Sequence, residues 1–134
     1  MKLKSVYFWM FLFASCFFAF NQIQDNIRTN YTGNNVAFMY FLGVAPNFFP
    51  AIGIPALFFV LIPYIQKEKH WGKWFNENKH LTANLISFVG LVGWEFLQTT
   101  GRLRFDWNDI LFTCIGSLVF HVIWLVTPQH LKNA

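Results

Sequence analysis

The chain has 134 residues, of which 55% are hydrophobic, 21% aromatic and only 12% charged, with a formal net charge of +4. Soluble globular domains carry roughly 25% charged residues, so this composition excludes an ordinary water-soluble domain and points to lipid as the solvent. The length accommodates one small transmembrane domain over residues 1–134, with no linker, repeat or nucleic-acid-binding module.

Four apolar stretches, Val6 to Phe20, Val36 to Ile65, Leu81 to Leu97 and Ile110 to Val126, alternate with every clearly polar region of the sequence. A crossing needs roughly 20 apolar residues. The expected architecture is therefore an all-α integral membrane protein, a bundle of four transmembrane helices near 5–22, 45–65, 81–100 and 109–127.

In the first stretch, Lys2 and Lys4 precede the apolar run, and Phe13-Ala14-Ser15-Cys16 loosely resembles a lipoprotein cleavage box. The aromatic character of the run and the three hydrophobic segments behind it favour a retained anchor over a cleaved signal. Cys16 and Cys114 both fall inside apolar segments and give neither a disulfide framework nor metal-ligand spacing, so each is read as a small packing residue. The polar segment Asn21 to Asn35 reads as a loop, and its Asn30-Tyr31-Thr32 is formally a glycosylation acceptor.

The second stretch is too long for one upright helix, since thirty residues at 1.5 Å rise reach roughly 45 Å. Pro46, Pro50 and Pro55, with Gly43 and Gly53 beside them, supply the means to break it, because each proline removes a donor and clashes with the preceding turn. The expectation is an interfacial piece over 36–44, an irregular Ala45-Pro46-Asn47-Phe48-Phe49-Pro50 elbow near Pro46–Pro50, and a crossing that ends near residue 65. Unwound backbone at membrane depth must be satisfied by protein or water, which turns Asn47 inward.

Lysines and arginines fix the expected orientation. Lys2, Lys4, Lys67, Lys69, Lys73, Lys79 and Lys132 make seven on one side, against Arg28, Arg102 and Arg104 on the other. The excess marks the cytoplasmic face, so both termini are expected in the cytoplasm, with Trp71 and Trp74 in the headgroup layer. The net positive charge then expresses topology and attraction to anionic lipid.

The third and fourth stretches carry the polar cluster. At about 100° per residue, Asn84, Glu95, Gln98 and Arg102 share one helical stripe. Ala83, Ser87 and Gly90 form an adjacent strip of small residues that suits close helix approach. On the fourth stretch Asp109, Thr113, Gly116 and Phe120 align, and Asp109, Asp106 or Asn108 is the expected N-cap. The short connection, with Gly101 as helix terminator, makes the two helices antiparallel neighbours and brings carboxylates and arginines together. A glutamate at this depth costs a few kcal/mol unless protonated, paired or wetted, with Arg102 or Arg104 as the partner. The candidate binding set is Glu95, Gln98, Arg102, Arg104, Asp106, Asp109 and Asn47, and a structural clasp closing the hairpin is the alternative.

Asp106 and Asp109 also have the i, i+3 spacing of carboxylates that hold a magnesium-bound pyrophosphate, but no second acidic motif accompanies them. His121 lies inside the fourth stretch with Asn84 as its one polar candidate partner, while His70, His80 and His130 fall in cytoplasmic loops without ligand spacing. No nucleophile elbow, phosphate loop or zinc signature is present, so neither a metal nor a cofactor is expected.

The run Glu95-x-x-Gln98, Arg102 or Arg104, Asp106-x-x-Asp109-Ile110-Leu111 and Gly116 resembles the carboxy-terminal half of the VanZ-like family, over roughly residues 90–125. Those are small multi-span bacterial membrane proteins whose founding member is associated with low-level teicoplanin resistance. The resemblance implies that Glu95, Gln98, Arg102 or Arg104, and Asp109 are the signature positions; Thr113 stands where the family usually has asparagine. The expected function is binding of a membrane lipid or lipid-linked cell-envelope precursor at an outward-facing cluster in the inner (cytoplasmic) membrane. The alternatives are a small membrane enzyme using Glu95 as acid or base, and an accessory or homo-oligomeric subunit of a membrane complex.

Overall fold

A computed structural model describes residues 2–68, 72–98, 100–101 and 105–132. Its elements are α1 (Leu3–Asn21), a π-helical stretch (Gln22–Ile27), α2 (Arg28–Asn30), α3 (Val36–Glu68), α4 (Lys73–Glu77), α5 (Lys79–Gln98), α6 (Trp107–Val126) and α7 (Gln129–Lys132). Four helical stretches, Leu3–Asn30, Val36–Lys67, Lys79–Gln98 and Trp107–Val126, are long and apolar enough to cross a membrane. Their outer faces carry large apolar side chains in the open, with Phe11 74%, Val126 76% and Leu118 62% exposed. Water would penalise such a surface and lipid would not.

α3 sits at the centre and packs against α1, α5 and α6. It corrects the expectation of a broken second segment. Residues 36–44 and the Ala45–Pro50 stretch belong to one helix of 33 residues that runs through Pro46, Pro50, Pro55 and Pro63. Each proline deletes a single rung of the hydrogen-bond ladder and, lacking an N–H, leaves no donor to satisfy. With helices packed on several sides, the chain keeps its remaining rungs, since unwinding would orphan more backbone groups than the prolines do.

The polar segment after residue 20 is helical as well, so the expected loop of 21–35 shrinks to Tyr31–Asn35. Local bonds support the extension: the Asn26 amide donates to Gln22 Oε1 at 2.8 Å, Arg28 donates to Gln24 Oε1 at 3.3 Å, and the Thr29 hydroxyl donates to the Asp25 carbonyl. The turn is wide, with the Arg28 N–H bonded to the Ile23 carbonyl five residues back. Ile23 anchors it by packing against Leu42 and Ala45 of α3.

Two close approaches fix the helices around α3. A Cβ built on Gly116 would lie 2.6 Å from the Phe48 carbonyl oxygen and 2.7 Å from the Ala51 methyl, and one on Gly53 would lie 2.8 Å from Cys16 Cβ. Hydrogen at these positions lets α6 and α1 pack backbone to backbone on α3. Of the expected small-residue strip, Ala83 and Ser87 are buried, whereas Gly90 faces open space.

The larger buried cluster lies toward the end where the start of α1 meets α7. Trp9, Ala56, Phe59, Ile62, Ala83 and Phe120 form its core, with the Trp9 ring 5.1 Å from Phe59 and 5.8 Å from Phe120. Beneath it α7 folds back: the Leu131 carbonyl accepts from Ser5 Oγ at 2.6 Å and from the Trp9 indole at 2.9 Å. Here too His80, expected in a loop, is buried at the start of α5 and lies face to face on Trp124, ring centroids 3.4 Å apart. Lys132 covers that indole at 4.5 Å. The opposite end of the bundle is where α1, α3 and α5 separate.

Candidate functional site

Separation at that end leaves a cavity of about 670 Å³, within the range of small-molecule sites. Three helical stripes face it. Phe13, Phe17, Phe20, Gln24 and Arg28 recur every three or four residues along the first helix. Pro46, Asn47 and Pro50 come from the middle of α3, and Leu91, Trp94, Glu95 and Gln98 from the last turns of α5. Asp109 enters from the first turn of α6. The walls are therefore aromatic and aliphatic deep in the bundle and polar toward its end.

The fourth helix delivers Asp109 because another residue caps it. Asp106 is the N-cap, its Oδ1 accepting from the Asn108 N–H at 2.8 Å and from the Asn108 side-chain amide at 2.9 Å. Asp109 is thus free of capping and turns to the cavity, within hydrogen-bonding reach of the Asn47 amide and in the field of the Arg28 guanidinium. Tyr40 braces the same junction by donating to Asn108 Oδ1 at 3.2 Å.

Glu95 is the most unusual group in the chain. It is only 3% exposed, its Oε1 accepts from the Gln98 amide at 3.2 Å, and its buried Oε2 has no hydrogen-bond partner among the described residues. Asp109 is close enough for the two carboxylates to act on each other electrostatically. A buried carboxylate oxygen with no donor costs on the order of 1–3 kcal/mol or more, a cost that a bound donor would remove.

Of the residues singled out in the sequence, Glu95, Gln98, Asp109 and Asn47 all line this one cavity. Asp106 is exposed and serves as cap. Arg102 and Arg104 lie outside the described residues. Gln24 and Arg28 are the additions: their place on the Phe13-Phe17-Phe20 stripe is legible from the spacing once the first helix is carried past Asn21. Asn84 does not serve His121; it bonds Ser117 instead, and the buried Nδ1 of His121 has no partner among the described residues. No group of three or more His, Cys, Asp or Glu among the described residues is arranged to hold a metal ion.

Comparison of the chain with family models, with characterised proteins and with solved structures returns no match.

Proposed function

We propose that this is a multi-pass protein of a bacterial cytoplasmic membrane, with both termini in the cytoplasm, whose cavity receives the polar head of a membrane lipid or lipid-linked envelope precursor. The observation that carries this reading is the buried Oε2 of Glu95, without a partner among the described residues, at the polar end of a cavity whose deeper walls are aromatic. Such a gradient matches an amphipathic molecule, with hydrogen-bonding groups for its head and Phe13, Phe17, Ile54 and Leu91 for the start of its chains. The distribution of lysines supports the orientation, since it sets the cavity on the less basic, outward face. The likeness to the VanZ-like family agrees with it, because Glu95, Gln98 and Asp109 are the positions on which that likeness rests.

The test is lipid retention by the protein purified in mild detergent, read by native mass spectrometry. Wild type should keep a lipid through delipidating washes, and Glu95→Ala should lose it while staying monodisperse. Equal retention by both proteins, or none by wild type, overturns the reading.

A further inference from the structure

The charges around the cavity specify the head more narrowly. Resting on the reading above, we infer that the head is zwitterionic, with an ammonium seated between Glu95 and Asp109 and a phosphate turned toward Arg28, as in an amine-bearing phospholipid. Among the described residues the lining offers two carboxylates, Glu95 and Asp109, against one guanidinium, Arg28. Glu95 is enclosed and none of the described residues donates to its Oε2, and Asp109 lies near enough to influence it electrostatically. An alkylammonium has three N–H donors and no acceptor, so it can donate to carboxylate oxygens without bringing a lone pair of its own that needs a donor. A head with only negative charge would instead bring like charge to two carboxylates in a poorly hydrated space, where repulsion is least screened.

Arg28 completes the zwitterion. It stands on the exposed rim of the cavity, on the side of Asp109, which feels its charge. One guanidinium nitrogen donates weakly to Gln24 Oε1 at 3.3 Å; the remaining N–H groups of the fork suit a phosphate. The apolar lining, Phe13 and Phe17 among it, is left for the chains.

The experiment compares phosphatidylethanolamine and phosphatidylglycerol of matched acyl chains, presented to the delipidated full-length protein, with soluble phosphoethanolamine as a third ligand. Phosphatidylethanolamine should be retained about tenfold better than phosphatidylglycerol, the scale of one charged hydrogen bond. Glu95→Gln combined with Asp109→Asn should abolish that preference. Arg28→Gln, a change on the exposed rim that leaves both carboxylates in place, should weaken retention of both lipids. Equal or tighter retention of phosphatidylglycerol overturns the zwitterion while leaving a lipid site in place, and retention of neither lipid overturns the lipid site itself. Phosphatidylethanolamine retention unchanged by Arg28→Gln overturns the placement of the phosphate. Displacement of the lipid by equimolar phosphoethanolamine overturns the lipid as the natural source of the head.

Discussion

Asn84 and Ser117 exchange two hydrogen bonds across α5 and α6: the Asn84 amide donates to the Ser117 carbonyl at 3.1 Å, and the Ser117 hydroxyl donates to Asn84 Oδ1 at 2.8 Å. This pair sets the register of the antiparallel hairpin. Counting outward at 1.5 Å per residue, Glu95 stands about 16 Å above it on α5 and Asp109 about 12 Å above it on α6. The two carboxylates therefore reach the cavity within one helical turn of each other in height. A one-turn slip that carried Glu95 further outward, or Asp109 further inward, would widen their offset in height to about 10 Å.

Asn84→Ala should lower stability by about 1–2 kcal/mol, since it removes both bonds and leaves the Ser117 hydroxyl without its acceptor. Ser117→Ala should cost less, because the Asn84 amide keeps its backbone acceptor. Thermal unfolding in detergent measures both, and the expected order of melting temperatures is wild type, Ser117→Ala, Asn84→Ala. If the hairpin register matters to the cavity, Asn84→Ala should also retain less lipid than its melting temperature alone accounts for.

Gly116 and Gly90 give opposite expectations for the same substitution. An added methyl at Gly116 meets the Phe48 carbonyl and Ala51, groups that cannot swing aside, so Gly116→Ala should destabilise by about 1–3 kcal/mol. Gly90 has nothing within 4 Å of its added methyl, so Gly90→Ala should be neutral or stabilising by up to about 1 kcal/mol through helix propensity. Parallel thermal melts of the two variants decide the point. Equal effects would contradict the close approach of α6 to α3.

Much of the site was legible because helical spacing is a local property. The placing of Glu95 and Gln98 on one stripe, and the entry of Asp109 beside it, follow from periodicity and a short connection, and the bundle brings these three to one cavity, while Asn84 on the same stripe bonds Ser117 deeper in the bundle. The inward turn of Asn47 was also legible, although its expected cause, an unwound elbow, was not the one found: the residue faces the cavity from an unbroken helix. Arg28 and Gln24 were hidden by polarity, since residues 21–30 carry the composition of a loop and become helical through side-chain bonds and the seating of Ile23 on α3. The stacking of His80 on Trp124 joins residues 44 positions apart through α5–α6 packing, and nothing in local spacing reports it.

Gly43 offers a way to fill the cavity without disturbing its chemistry. It lines the space from α3, and a Cβ there meets nothing within 4 Å. Gly43→Leu should leave the melting temperature of delipidated protein unchanged or slightly raised, while lipid retention falls by tenfold or more as the side chain takes up ligand volume. Cys16, buried in the cavity lining on α1, serves as an internal reporter. Its reaction with a small thiol reagent should slow in the lipid-loaded protein, whereas exposed Cys114, away from this cavity, should react at the same rate with and without lipid.

The far end of the bundle should be separable from the cavity. Leu131 accepts from both Ser5 and Trp9, so removing residues 128–134 strips two buried or partly buried donors of their acceptor, at a cost of about 1–3 kcal/mol each. Trp9→Phe keeps most of the ring contact with Phe59 and Phe120 and gives up only the indole bond, so its expected loss is nearer 1 kcal/mol. Trp9→Ala opens the core and should cost about 3–5 kcal/mol. Measured well below the melting temperature, lipid retention should be the same in wild type and Trp9→Phe, because the polar residues of the cavity are not part of this packed core, which meets the lining at Phe13. A selective loss of lipid in Trp9→Phe would mean that the two ends of the bundle are coupled through α3, which touches both.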